Sequence, residues 1–354
     1  MTPAIHAPHA HAPVTVGRVM ATVMLALAPA TLFGFWLHGW PAILLWLVAL
    51  VTALATEALT IRLQDRPVKP ALMDGSGLLT AWLLALSLPP WAPWWIAAVG
   101  SAFAVVVAKQ VFGGLGQNVF NPAMAARVML LISFPVEMTA WVRPVPITSG
   151  AAPDLAQSLD ITFAGQGLDA MASASLLGHV KTELGRGLEL GPVLANAYQP
   201  DLMLMGNRVG SLGETGAILI LLGGLFLILR RIITWHGPAA MLLGVALPAL
   251  VAWLIAPQAY PDPLYHLLAG GVMLGAFFII TDPVTSPNSP WGMFAFGLGV
   301  GLLTWIIRAW GGYPEGVAFA VLLMNAATPV IDRYLKPRIY GRDRRGRPHP
   351  AREA

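Results

Sequence analysis

Ten stretches of this chain are each about as long and as apolar as the interior of a lipid bilayer demands, and that decides its solvent. A helix crossing the hydrocarbon core needs about 20 consecutive, mostly apolar residues. Such runs fall at roughly 18–38, 41–61, 74–90, 93–112, 120–140, 213–233, 236–256, 264–281, 290–310 and 315–333. Of the 354 residues 56% are hydrophobic and only 11% charged, whereas a soluble domain carries about 25% charged residues to cover its surface. The chain therefore reads as an all-α polytopic membrane protein. It has no cysteine, which excludes disulfides, thiolate metal ligands and a cysteine-held iron–sulfur cluster. Residues 1–16 lack the basic start and apolar core of a signal peptide. Their His6, His9 and His11 sit in a Pro/Ala-rich tail with no fixed geometry, so no metal site is expected.

Lysine and arginine give the expected direction of insertion, because cytoplasmic segments carry the excess. With the N-terminus inside, fifteen of them lie in cytoplasmic segments, eight in the tail from Arg333 to Arg352, against four (Arg143, Lys181, Arg186 and Arg208) outside. Both termini are then cytoplasmic, and the one long hydrophilic segment, 141–212, is extracytoplasmic. The basic pI near 9.6 does not point to nucleic acid, since the charges sit between and after the apolar runs. The tail 336–352 suits anionic lipid head groups or a soluble partner.

The second half echoes the first at an offset of about 195–198 residues. The run from Gly77 to Pro89-Pro90 aligns with Gly271 to Pro283, and Phe112-Gly113-Gly114 precedes the fifth span as Trp310-Gly311-Gly312 precedes the tenth. Five spans per unit is odd, so the second unit must enter upside down. Ten transmembrane helices as an inverted five-plus-five repeat follow, organised as a tail (1–17), a first repeat (18–140), the external loop (141–212), a second repeat (213–333) and a basic tail (334–354). In such architectures sites form at broken helices on the repeat interface. Here those are the third and eighth spans, which are short and end in proline, and the glycine-rich entries to the fifth and tenth.

Several residues stand out within that frame. Gly113 to Pro122 is the densest polar and glycine-rich cluster of the membrane region. Asn118 and Asn121 there can serve as helix caps in a tight loop or line a ligand from a re-entrant turn. Arg127 follows inside an apolar run, where a charge is costly and by default functional; the alternative is a structural pairing with Glu57 or Asp282. Asp282, in the matching Thr281-Asp282-Pro283-Val284-Thr285 stretch, is open to a cation or flavin N–H role and to an Asx-turn at a helix end. Lys109 and Glu57 lie near span ends, where long side chains snorkel to the interface, and are assigned no chemistry. The tryptophans, Trp91, Trp94, Trp95 and Trp291 among them, read as an interfacial belt. In the external loop Asp169 to Lys181 is a polar segment running into a short helix from about 171. A hydroxyl at such a helix start is a fair phosphate position.

The Gly75–Arg127 stretch, with GGLGQNVFNPAMAAR at its core, together with TDPVTSP at 281–287 and GGYPEGVAFAVLLMNAATPVID at 311–332, resembles a known family. It is the family of the RnfD-type membrane proteins of the Rnf electron-transport complex, shared with their counterparts in the sodium-pumping NADH:quinone oxidoreductase. The resemblance covers essentially all ten spans and implies the ten-span inverted repeat, an electron-transfer role and bound flavin. Members carry FMN attached through its phosphate to a threonine, in a pattern like D-[GA]-x-[ST]-G-A-T-x-L. That pattern falls on Asp169 to Leu177 and puts the acceptor at Ser175, with Asp169 and Ser173 beside it. Serine stands for the usual threonine and Ala172 for the usual hydroxyl residue, so FMN is expected either as a phosphoester on Ser175 or noncovalently at the same place. The family also suggests a second flavin, riboflavin, in the membrane part, with Asn118, Asn121, Arg127 and Asp282 as candidates to line it.

The resemblance implies a subunit of an ion-translocating ferredoxin or NADH oxidoreductase in the bacterial inner membrane, with electron relay coupled to sodium or proton movement. Its partners would be the membrane helical subunits, the extracytoplasmic flavin subunit and the cytoplasmic iron–sulfur subunits. Two other classes compete: a small-solute channel or secondary transporter working through the repeat interface, and a scaffold for redox partners. Both predict a chain without flavin.

Overall fold

A computed structural model describes residues 15–165, 172–206, 208–214 and 216–336. Asp169, the histidines at 6, 9 and 11, and the basic tail beyond Lys336 lie outside the described residues. The chain is mostly helical, and its apolar helices are α1 (Val16–Leu63), α2 (Ser76–Ser87), α3 (Trp94–Val106), α4 (Pro122–Ser133), α6 (Ala217–Leu229), α7 (His236–Ile255), α8 (Pro290–Trp310) and α9 (Val317–Tyr334). Between them α5 (Leu176–Gly185) belongs to the long polar segment. Among the described residues α1, α7, α8 and the stretch Trp94–Phe112 are long and apolar enough to cross a membrane; α2, α4 and α6 are apolar but shorter. Leu25, Leu32, Val51 and Leu247 are exposed on the outside of the bundle, as they are where lipid is the solvent.

Sequence punctuation explains where the helices stop. The expected spans 18–38 and 41–61 join into α1, interrupted at Gly39, which takes φ 72° and ψ −160°; only glycine adopts that backbone freely, and Pro41 follows to restart the helix. The run 120–140 is cut after Ser133 because Pro135 cannot continue a helix, and a five-residue turn of helix (Pro135–Thr139) takes over. The eighth run is broken, as its glycines predict: Pro263–Leu268, then Gly270 at φ 66°, then Val272–Leu274 and a wide helical turn over Gly275–Ile279.

One continuous core joins residues of both halves, Leu27, Leu45, Leu84 and Leu130 with Phe277, Phe296 and Val321 among them. The closest packing is between α7 and α8. A side chain at Gly297 would strike the Gly237 carbonyl, and one at Gly301 the Met241 carbonyl and Gly244; small residues let the two backbones touch, the usual basis of helix association in lipid. The long polar segment 141–212, of which the sequence suggests only a short helix, holds several short helices and a two-residue antiparallel pair, Trp141 opposite Ser173 and Val142 opposite Ala172. Its helix starts at Leu176 rather than near 171. Trp91 is not interfacial: it is 1% exposed and donates to the His38 carbonyl at 2.9 Å.

Candidate functional site

Two polar centres arise, one on the long polar segment and one among the apolar helices. In the first, Ser175 caps α5: its Oγ accepts the Gly178 N–H at 3.2 Å, satisfying one of the four backbone donors every helix start leaves free. Leu177 and Val180 on α5 pack with Leu190, Val193 and Met203 of the loop and with Tyr265, Leu268 and Ala269 of the broken stretch. Beside Ser175 lies a cavity of about 900 Å³, lined by Ala174, Leu176, His179, Arg143, Arg208 and Glu183 among others. Its size is at the upper end of the usual range for small-molecule sites, about 300–1,000 Å³. Arg208 is anchored through the carbonyls of Glu214 and Leu268. Burial lowers its pKa, and Glu214 opposes that shift. Tyr198, also in the loop, donates to Asp262 at 3.2 Å, and burial together with that carboxylate raises its pKa. Ser173 contributes its backbone to the strand pair.

The second centre brings Asn118, Asn121 and Asp282 to one small cavity of about 100 Å³, with Ser76, Lys109, Thr281 and apolar walls from Val19, Leu83, Leu227 and Phe278. Each polar residue is also used locally. Asn121 caps α4, accepting from Met124 N at 3.2 Å, and Asn118 donates to the Phe120 carbonyl at 3.1 Å. Asp282 forms the Asx-turn, accepting from Val284 N at 3.1 Å and from the Thr285 hydroxyl at 3.0 Å. The capping and Asx-turn readings are observed directly, and the three residues also share one cavity wall. Asn325 ties the two halves at this point: its Oδ1 accepts the Asn121 N–H at 3.0 Å and its Nδ2 donates to the Thr285 carbonyl at 3.1 Å.

The charges depart from the sequence expectation. Lys109 and Glu57 do not snorkel; their side chains are 3% and 2% exposed and pair at 2.5 Å, with Lys109 also donating to Ser76 Oγ at 2.6 Å. The ends of their spans converge on the interior, so neither side chain has an interface to reach. Arg127 pairs with neither Glu57 nor Asp282. It is 8% exposed, its Nη1 has no hydrogen-bond partner among the described residues, and the carboxylates within its electrostatic reach are Glu214 and Glu315. Glu315 is itself engaged by Arg308 at 3.0 Å and by the N–H groups of Gly271, Gly316 and Val317. A buried polar group without a partner is rare and calls for an acceptor, so Arg127 Nη1 is an open donor among the described residues, although Arg127 does not line the cavity that gathers Asn118, Asn121 and Asp282.

The sequence matches the NQR2, RnfD, RnfE family over residues 4–341. The chain belongs to that family. It is 51% identical over 349 residues to the D subunit of the ion-translocating oxidoreductase complex of Halorhodospira halophila, covering 98% of each chain. To the D subunits of the same complex from Stutzerimonas stutzeri and Rhodobacter capsulatus it is 52% and 46% identical, over 94% and 85% of this chain and 94% and 84% of theirs.

For this member of the NQR2, RnfD, RnfE family, several site residues escaped the sequence reading. Asn325 carried a signal, an amide in the apolar run Val321-Leu322-Leu323-Met324. So did Glu315, beside the Gly311-Gly312 landmark. Arg208 and Lys181 carried none, since both sit in a polar loop where a cation is ordinary.

Proposed function

We propose that the chain is the flavin-carrying membrane subunit of an ion-translocating oxidoreductase complex, active as an enzyme only within that complex. In this reading ten spans form two inverted five-helix repeats (18–140 and 213–333) in the bacterial inner membrane, both tails are cytoplasmic, and 141–212 faces outward. Its partners are the other membrane helical subunits, an extracytoplasmic flavin subunit and cytoplasmic iron–sulfur subunits. The relatives' name supports the complex; the flavin reading comes from the family resemblance, and the residues around Ser175 are compatible with it.

The observation that carries it is Ser175: a half-buried hydroxyl at a helix N-terminus beside a large cavity that two arginines line. A helix start offers free N–H groups and the positive end of the dipole to a phosphate, and Arg143 and Arg208 add fixed positive charge. FMN, held by its phosphate on Ser175, supplies one- and two-electron chemistry. The chain's residues orient it, with His179 and Glu183 on the same helix facing the cavity. The inner cavity, at about 100 Å³, is smaller than ligand sites usually are. A second flavin, riboflavin, lined by Asn118, Asn121 and Asp282, therefore requires its walls to part; Arg127 is not among the residues lining this cavity, whose cation is Lys109.

Mass spectrometry of the peptide containing Ser175, taken after denaturation of the complex from a native-like host, tests this. A gain of FMN minus water on Ser175 establishes the covalent form, and an unmodified peptide with FMN released on denaturation the noncovalent one. An unmodified peptide without any flavin overturns the reading in favour of a transporter.

A further inference from the structure

Lys181 lies on α5 six residues after Ser175, beside the apolar residues that seat the helix. Its ammonium meets four carbonyls at the end of α8: Ile307 at 3.4 Å, Arg308 at 3.2 Å, Gly311 at 2.5 Å and Tyr313 at 3.0 Å. The last carbonyls of a helix have no partner within it, and a cation there also meets the negative end of the helix dipole. Arg186, just after the same helix, pairs instead with Glu183 on α5 itself.

The contact continues inward through one residue. Arg308, whose carbonyl accepts from Lys181, sends its guanidinium to the carbonyls of His266 at 2.6 Å and Ala269 at 2.9 Å, and to Glu315. Glu315 in turn receives the Gly271 N–H at 3.0 Å. A hydrogen-bonded chain thus runs from the helix that begins at Ser175 to the break in the eighth run. Leu177 closes the same joint from the other side, since a side chain at Gly270 would strike Leu177 as well as Arg308 and Glu315.

We propose that Lys181 is a positioning residue that locks the helix beginning at Ser175 onto the carbonyl end of α8, so that the broken stretch, and not the loop, sets how far the flavin stands from the membrane interior. What is held rests on the flavin reading above; the lock is a property of α5 and α8 alone. A cation at a partly buried helix C-terminus stabilises the contact enough that its loss raises local opening about five- to thirtyfold.

The test compares the intact complex carrying wild-type chain, Lys181→Met and Lys181→Arg. Expected for Lys181→Met are amides of 176–185 that exchange about five- to thirtyfold faster, unchanged flavin content and flavin midpoint potential, and slower reduction of the flavin by the complex's electron donor. Lys181→Arg restores both exchange and rate. Wild-type exchange in Lys181→Met overturns the lock, as does an Arg variant no better than the Met variant. Faster exchange with an unchanged rate overturns the positioning role. Should Lys181→Met not assemble, Lys181→Gln, which keeps two donors and loses the charge, is read in its place. A wild-type chain without flavin overturns the flavin assignment, and the exchange comparison then decides the lock by itself.

Discussion

Replacing Lys109 by methionine removes the cation that Glu57 faces at 2.5 Å in a site where both side chains are almost fully shielded. The carboxylate left behind retains the Gln110 amide at 3.1 Å and loses the charge it was paired with, while Ser76 Oγ loses its donor. Breaking a buried pair from one side costs about 3–5 kcal/mol, because the remaining charge is stranded. The same argument holds for Glu57→Gln, which strands the ammonium. Changing both together strands nothing, and buried pairs replaced by neutral groups are often near neutral in stability. The double variant should therefore recover most of the loss, leaving a coupling of at least about 2 kcal/mol. At roughly 2 °C per kcal/mol for a chain of this size, each single variant lowers the melting midpoint in detergent by about 6–10 °C, and the double variant by much less. Single losses under about 2 °C, or losses that simply add in the double variant, would refute the claim that the pair is a buried, coupled unit.

Three further outcomes follow from the same geometry. Asn325→Leu cuts the bonds from Asn325 to Asn121 and to Thr285 and should cost about 2–4 kcal/mol in thermal unfolding, and Asn325→Asp, which keeps the acceptor for Asn121 N but turns an oxygen onto the Thr285 carbonyl and buries a charge, should lose at least as much. Ser175→Asp preserves an N-cap of equal strength and so keeps α5 intact by hydrogen exchange, yet it should abolish covalent flavin fluorescence on denaturing gels; Ser175→Thr should retain both. Gly270→Ala meets a left-handed backbone and a wall formed by Glu315, Arg308 and Leu177, so a marked fall in assembled complex is expected, and normal yield would show the joint to be loose.

How much was legible depended on whether the information was local. Gly39 and Pro41 mark the break in α1 and the glycines near 270 announce a broken helix, all within a few residues; Pro135 carried the same local signal, yet the run was read through it to 140. Ser175 as a cap was readable because a hydroxyl stood just before an apolar run. What could not be read were contacts whose partners are far apart in the chain. Asn325 reaches back 204 positions to Asn121, and Lys181 reaches forward 130 to Gly311. Lys109 and Glu57 were misjudged for the same reason: each lies near a span end, and nothing local says that the two ends meet inside the protein. The three candidates Asn118, Asn121 and Asp282 did converge on one cavity, because the repeat landmarks pointed to the same interface.

The break at Ala269–Gly271 bears on how the chain is assembled during synthesis. Its carbonyls and N–H are held by Arg208, already made and outside the eighth run, and by Arg308 and Glu315, which follow His266 and Gly271 by 42 and 44 residues. Unpaired backbone groups in hydrocarbon cost several kcal/mol each. In the ten-span reading, the eighth segment therefore enters the bilayer with its polar joint incomplete and becomes a settled span only when α8 has been threaded and the start of α9 has emerged. Until then water or the insertion machinery must shelter it. With a cysteine introduced at Met273, a nascent chain arrested before Arg308 and Glu315 have left the ribosome should react with a water-soluble thiol reagent, while one arrested after both have left should be shielded.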